Sequence, residues 1–424
     1  MDLSFKLNLK STNQNIVPDI GWLIYFTGMF CLYKFTYFQL AIQIGIILYS
    51  FFYKTFKDNY KIRIRYSTVR NLIFLCMWFG LLLVMLFISS KTYAVFKDSG
   101  SNTVLTTFRM FTIGLAMYYY ADDTKAALSV MESMVIATFL MFVLVMIVTP
   151  PSMYFVATTA NQTEGFGSRI AQHRNSIGCI GASMFIACYY LSKYSNFKPG
   201  KFICFFYVIV IVLSGSRSGL IQLAMEIALI MLFNANFSTF VIFALSVCLG
   251  LAVIRYVPIL YENIWLRLID AADTVTTGTE ADSSAATRQY YKEIAWNMFL
   301  EKPFLGWGVD GFRGYLYYHP VYKNVYLTAV YSHCNYSELM SCLGIAGLAI
   351  WYIPELVLYF KCIRNIKKNK YLEMAFILFS CVLVLDYAKI PWSSHIYIYP
   401  YYMFLLIILL FSAKSVITKK QEQK

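Results

Sequence analysis

The stretch from Leu128 to Thr149, LSVMESMVIATFLMFVLVMIVT, decides the fold, because it is predominantly apolar over the length of a bilayer crossing. A helix rising 1.5 Å per residue needs about 20 apolar positions to span the hydrocarbon. Stretches of this kind recur on both sides of it. Candidate spans lie at 19–33, 35–53, 71–90, 103–120, 128–149 and 175–192, and then at 202–214, 219–233, 238–254, 334–360, 371–388 and 397–413. The expected class is therefore all-α: a polytopic membrane protein of about 12 transmembrane helices, forming one integral membrane domain over 1–424.

Composition agrees with this reading. The chain is 59% hydrophobic, 18% aromatic and 14% charged, against roughly 25% charged in an ordinary soluble domain. A formal charge of +14 would suit nucleic acid, but the lysines and arginines sit in short loops between apolar runs. No basic helix with interleaved aromatics is present, which argues against a nucleic-acid partner. The basic residues read instead as a topology signal, since short cytoplasmic loops retain Lys and Arg. Both termini, the loop from Lys54 to Arg70, the turn with Lys193, Lys198 and Lys201, and the loop from Lys361 to Lys370 are expected on the cytoplasmic side. The first span is expected to remain as an anchor, because no small-residue cleavage site follows it. The ten cysteines lie mostly in apolar runs and form no CxxC pair, so neither a disulfide framework nor a zinc site is indicated.

This threading leaves two substantial segments outside. One is 150–174, PPSMYFVATTANQTEGFGSRIAQHR. The other is 255–331, the large extracytoplasmic loop between the ninth and tenth spans. It contains a helix-like piece, TRQYYKEIAWNMFLEKP, and a Gly-rich turn, FLGWGVDGFRG. Long loops inside compact proteins tend to carry function or to be disordered, and the aromatic periodicity of 287–300 favours order.

Candidate site residues gather on the same outer side. In the run from Ser214 to Gly219, SGSRSG, Arg217 stands at the outer membrane face, where its planar guanidinium could grip a phosphate with two hydrogen bonds or could merely snorkel. Arg169 and Arg174 flank His173 just before the sixth span. In the run from His333 to Glu338, HCNYSE, Asn335 and Glu338 are three apart and share a helix face, with His333 one turn above them. An imidazole titrates near neutrality and can take a proton from a hydroxyl, although a histidine at a helix start can also be only a cap. Arg109 is left inside the fourth span, either reaching the same cavity as Arg217 or pairing with a helix carbonyl or Asp386. The chain has no P-loop, no HExxH and no acidic DxD cluster. Chemistry driven by cationic side chains, without a metal or other cofactor, is the expectation.

These residues fall in a recognisable order. Arg288, Trp296, the run from Pro303 to Gly308, His333 with Asn335, and Gly344 with Gly347 together resemble the motifs of the O-antigen ligase and O-antigen polymerase superfamily. The turn of Ser216, Arg217 and Ser218 and the helix start with Asn175 and Gly178 are similar as well. Cys334 departs from the small or polar residue often found there and leaves the motif intact. The resemblance implies a GT-C-like glycosyltransferase acting on undecaprenyl-diphosphate-linked oligosaccharide at the outer face of a bacterial cytoplasmic membrane. It implies that His333, Arg217 and Arg288 are catalytic. His333 is the base for an acceptor hydroxyl, and Arg217 and Arg288 hold the diphosphate. Arg169, Arg174, Asn175, Asn335, Glu338 and Arg109 are the implied substrate-binding set, with Asn335 or Glu338 orienting the imidazole. A polymerase of capsular or exopolysaccharide repeat units is the leading expectation, with a flippase and a chain-length regulator of the same pathway as partners besides membrane lipids. A ligase transferring polymer to lipid A core is the alternative within the family. A lipid-linked oligosaccharide flippase or anion transporter is the alternative outside it, with Arg109 and Asp386 as the ionisable residues placed at membrane depth.

Overall fold

The structure is a computed structural model that describes residues 16–32, 35–57, 66–92, 97–154, 165–170, 172–234, 254–266, 283–322, 330–388 and 400–412, with a few single residues between 248 and 273. Among the described residues the regular structure is helical and contains no strand. The principal helices are α1 Ile20–Cys31, α2 Thr36–Lys57, α3 Tyr66–Thr92, α4 Lys97–Tyr120, α5 Thr124–Val148, α6 Arg174–Tyr194, α7 Gly200–Leu213 and α8 Arg217–Asn234. They continue with α9 Ser283–Glu301, α10 Gly311–Tyr318, α11 Asn335–Asn365, α12 Lys370–Leu385 and α13 Pro400–Ser412. Each of the expected spans overlaps one of these helices except 238–254, which lies almost wholly outside the described residues.

Three helical stretches are long and apolar enough to cross a membrane, at Val69–Ile88, Thr124–Val148 and Asn335–Lys368, and α1, α7 and α13 are shorter apolar helices. Burial supports the same environment. Ile73, Met77, Leu81, Val84 and Ile88 recur at helical spacing along α3, and each is at least half exposed. A continuous exposed apolar stripe of that kind would be unfavourable against water and is favourable against lipid. The chain is a helical membrane protein.

The core is built from aromatic and aliphatic side chains of many helices, including Trp22, Phe26, Phe142, Tyr207, Trp351 and Tyr402. Helix α1 packs on α5, α6 on α7 and α8, α3 on α4 and α11, and α12 on α6, α8 and α11. The α6–α8 crossing is close because glycines line it. A Cβ on Gly219 would stand 2.6 Å from the Gly178 carbonyl carbon, and one on Gly178 would meet the Ser216 side chain at 2.5 Å. Small residues let membrane helices approach to backbone contact.

Acidic side chains within the helices are more numerous than expected. Besides Asp386, the buried set includes Glu132, Glu226 and Glu355. Sequence alone placed the polar residues mainly outside. Isolated acids in apolar runs carry no periodic signal, and folding is what turned these inward. Glu226 accepts from Gln222, which also donates to Ser183 on α6.

The described helices of the segment 255–331 include α9 and α10, and α9 contains the expected TRQYYKEIAWNMFLE run. Its attachment to the membrane helices is specific. Helix α11 is broken at Gly344, whose φ of 62° and ψ of −160° lie outside the helical region. The break opens a gap in the i to i−4 ladder, and the turn from Pro303 to Gly308 fills it. Trp307 N donates to Ser341 O at 2.9 Å and Gly308 N to Cys342 O at 2.7 Å, while Ile345 N donates to Pro303 O at 2.8 Å and Ala346 N to Phe304 O at 3.2 Å. The exchange satisfies four backbone groups that a break at membrane depth would otherwise strand.

Candidate functional site

The docked turn holds the end of α9 against α11 and thereby sets Arg288 near the start of α11. Arg288 and Tyr291 are three residues apart on α9 and share a face. The ring of Tyr291 lies parallel to that of His333, centroids 6.2 Å apart and planes at 7°. Tyr331 closes on the imidazole at 4.2 Å.

His333 does not sit on α11, as the spacing to Asn335 and Glu338 suggested. The helix begins at Asn335, Cys334 is its extended N-cap residue, and His333 precedes it with φ 58° in the left-handed region. A non-glycine residue there costs on the order of 1 kcal/mol or more and persists when its neighbours fix it. Here they do. Asn335 N donates to Asp386 O at 2.7 Å, its Nδ2 donates to Tyr352 Oη at 2.8 Å and Asp386 Oδ2 at 3.3 Å, and Tyr352 Oη donates to Asp386 Oδ2 at 2.8 Å. On the other side Ser332 N donates to Glu338 Oε2 at 2.8 Å, and Ser332 Oγ donates to Cys334 O at 3.0 Å. Asn335 and Glu338 are both buried. The Glu338 side chain and the Asn335 N–H therefore hold the backbone on either side of His333, whereas its ring is contacted by Tyr291 and Tyr331.

Electrostatics gathers further members. Partial burial, the Arg288 guanidinium and His173 together push the His333 imidazole down to about 4. Burial, Arg174 and Arg288 likewise lower the His173 imidazole from its ordinary value. Arg174, His173, Arg288 and His333 thus act on one another as a cationic group. His173 caps α6, its Nδ1 accepting from Asn175 N at 3.2 Å, so Arg174 and Asn175 form the first turn of that helix. Arg217 begins α8, which the Gly178, Ser216 and Gly219 contacts hold about one turn of α6 below Asn175. Ser216 Oγ accepts from Gly219 N at 3.1 Å and fixes the turn. Arg169 lies in the short turn Ser168–Ile170 and is exposed.

Arg109 is placed differently. Its Nε donates to Gln43 Oε1 of α2 at 2.7 Å. Asp386, the partner considered for it, is engaged with Tyr352 and Asn335. Trp296 is half exposed and meets Phe299 at 5.5 Å.

Three residues at this site were not singled out from sequence. Tyr291 and Tyr331 flank the imidazole, and the signal for Tyr291 was its spacing of three from Arg288. Arg313 on α10 pairs loosely with Asp310 at 3.7 Å and lies over the Tyr331 ring at 5.6 Å. Burial raises the Tyr331 phenol, while Arg288 and Arg313 draw it down, which sets Arg313 beside the same group. The arrangement provides a neutral imidazole among several guanidiniums, suited to deprotonating a hydroxyl next to a bound anion.

No curated protein matches the chain. Residues 202–352, which run from α7 through the docked turn and His333 into α11, are similar to the family model described as O-antigen ligase.

Proposed function

We propose that the protein is a metal-independent glycosyltransferase that joins undecaprenyl-diphosphate-linked oligosaccharide repeat units at the outer face of the bacterial cytoplasmic membrane. The family match supports transfer chemistry of the O-antigen ligase and polymerase type. The observation that carries the mechanism is the His333 imidazole stacked on Tyr291, with Arg288 on the same face of α9 and acting on the imidazole charge. In the reaction, His333 accepts the proton of an acceptor hydroxyl as the hydroxyl oxygen bonds to the anomeric carbon of the donor. The bond between that carbon and the phosphate oxygen breaks, and its electron pair leaves with the lipid diphosphate. Arg288 and Arg217, with Arg174 and Asn175 at the start of α6, hold the departing anion. Arg169 extends the cationic side of the loop.

The low basicity of His333 suits this order of events. Bound diphosphate offsets the charges that depress His333, so the base strengthens once the donor is in place. A repeat-unit polymerase, with twelve spans and cytoplasmic termini in a GT-C-like scaffold, is the reading preferred over a ligase, because nothing in the chain reads a lipid A core acceptor. Flippase and chain-length regulator proteins would be its pathway partners. The test is purified protein with a synthetic undecaprenyl-diphosphate repeat unit in EDTA. A ladder of longer lipid-linked glycans is expected. In a parallel reaction with lipid A core added, transfer of glycan to that core without a ladder would select the ligase, and no consumption in either reaction would select transport.

A further inference from the structure

The turn from Pro303 to Gly308, α9, α10 and the residues after α10 carry rings that contact one another in series. Trp307 meets Tyr315 at 5.1 Å, Tyr315 meets His319 at 4.7 Å with planes 24° apart, His319 meets Tyr322 at 5.1 Å, and Tyr322 meets Tyr290 at 6.4 Å. None of the five is fully buried, and Tyr290 is 44% exposed. Their polar edges are tied down. Trp307 Nε1 donates to Met298 O at 2.9 Å, Tyr315 Oη donates to Glu301 Oε1 at 3.3 Å, and His319 Nδ1 accepts from Val321 N at 3.3 Å. Lys302 Nζ sits 3.7 Å over the Trp307 ring.

The series ends on the helix that also contacts His333. Tyr290 faces Tyr322, and the next residue, Tyr291, stacks on His333. Rings preorganised in this way suit a ligand with alternating apolar and polar faces, and a pyranose is one: its axial C–H groups meet a π face while its hydroxyls reach charged groups at the rim. An interfacial aromatic belt is the competing arrangement. In a belt, rings face lipid singly around a perimeter, whereas here they pack on each other and are interleaved with Glu301, Lys302 and His319.

We infer that Trp307, Tyr315, His319, Tyr322 and Tyr290 form an aromatic ledge that binds the oligosaccharide part of the lipid-linked substrate and leads it to His333. The inference rests on the glycosyltransferase reading above and adds a binding site to it.

The test uses full-length protein in nanodiscs. The probe is a set of oligosaccharides of one to four repeat units, made by partial hydrolysis of the polysaccharide from cells expressing this chain. Saturable binding to the unmodified protein is expected. Tyr322→Ala and Tyr290→Ala, on two separate elements, should each weaken binding roughly tenfold, the upper end for one aromatic contact. Tyr322→Phe should bind within about twofold of the unmodified protein, since stacking survives loss of the hydroxyl. Unchanged affinity in both alanine variants overturns the ledge. Absence of fragment binding to the unmodified protein overturns it too, as does a loss of lipid-quenchable emission in Trp307→Phe relative to the unmodified protein with brominated acyl chains, which would make the rings a lipid belt. If the unmodified protein extends lipid-linked glycan while any of these results holds, the ledge fails and the transferase reading stands. If no glycan is transferred by any preparation, the transferase reading fails.

Discussion

The imidazole of His333 lies parallel to the ring of Tyr291, centroids 6.2 Å apart, and this stacking couples the loop helix α9 to the entrance of α11. Arg288 rides on the same helical face as Tyr291, so the contact that positions the base also positions the cation. Tyr291→Ala is expected to lower kcat by roughly tenfold to a hundredfold through misplacement of both groups, with Tyr291→Phe close to unmodified. Steady-state transfer assays on the two variants check this. A Tyr291→Phe defect as large as that of alanine would show that the hydroxyl, and not the ring, matters.

His333→Ala should reduce transfer by about 10² to 10⁴, the usual range for a general base. The pH dependence has a defined sign. A base acts when deprotonated, so activity is retained above the imidazole's pKa and lost as pH falls through it. In the free protein that point is about 4, and donor diphosphate should move it upward by screening Arg288. NMR titration of the His333 ring with and without a diphosphate lipid reads the shift. A downward move on binding would contradict the proposed anion site.

Arg217→Lys and Arg288→Lys keep the charge and lose the two-pronged geometry. Each should cost about tenfold to a thousandfold in kcat, in line with removal of one preorganised donor to a developing anion. Initial rates at saturating donor are the measurement. Full activity of Arg288→Lys would mean that Arg288 supplies only a general positive field.

Arg109→Lys tests the opposite case. Its guanidinium is bonded to Gln43 of α2, a role within the membrane helices. Transfer within about twofold of the unmodified protein is expected. A loss matching that of Arg217→Lys would return Arg109 to the substrate cavity.

Gly344→Ala should destabilise the protein by roughly 2 kcal/mol or more. At φ 62° an added Cβ would lie 2.5 Å from both the carbonyl carbon and the oxygen of Phe304. The expected readouts are a lowered thermal midpoint in detergent and loss of transfer. Thermal unfolding followed beside activity separates this from a purely catalytic defect, in which the midpoint would not move.

Much of this protein was legible in its residues. Apolar runs the length of a bilayer, such as Leu128 to Thr149, force helices because lipid offers no partner for backbone N–H and C=O groups. That constraint acts locally, so sequence alone revealed the helices. The order of Arg217, Arg288, Pro303 to Gly308, His333 and Asn335 likewise pointed to one outer-side site, because motif order survives in the linear chain. Tertiary structure decided what required distant backbones to meet. The break at Gly344 is meaningful only because the turn from Pro303 to Gly308 bonds into it. Asn335 and Glu338 were readable as a pair on one helix face. Their work as clamps depends on Asp386, Tyr352 and Ser332, which no spacing rule connects to them. Arg109 found Gln43 because packing, and not sequence separation, sets which polar groups are in reach. The residues therefore specified the helices and the candidate site residues, and the packing of α9 on the broken α11 decided that Arg288 and Tyr291 come to His333.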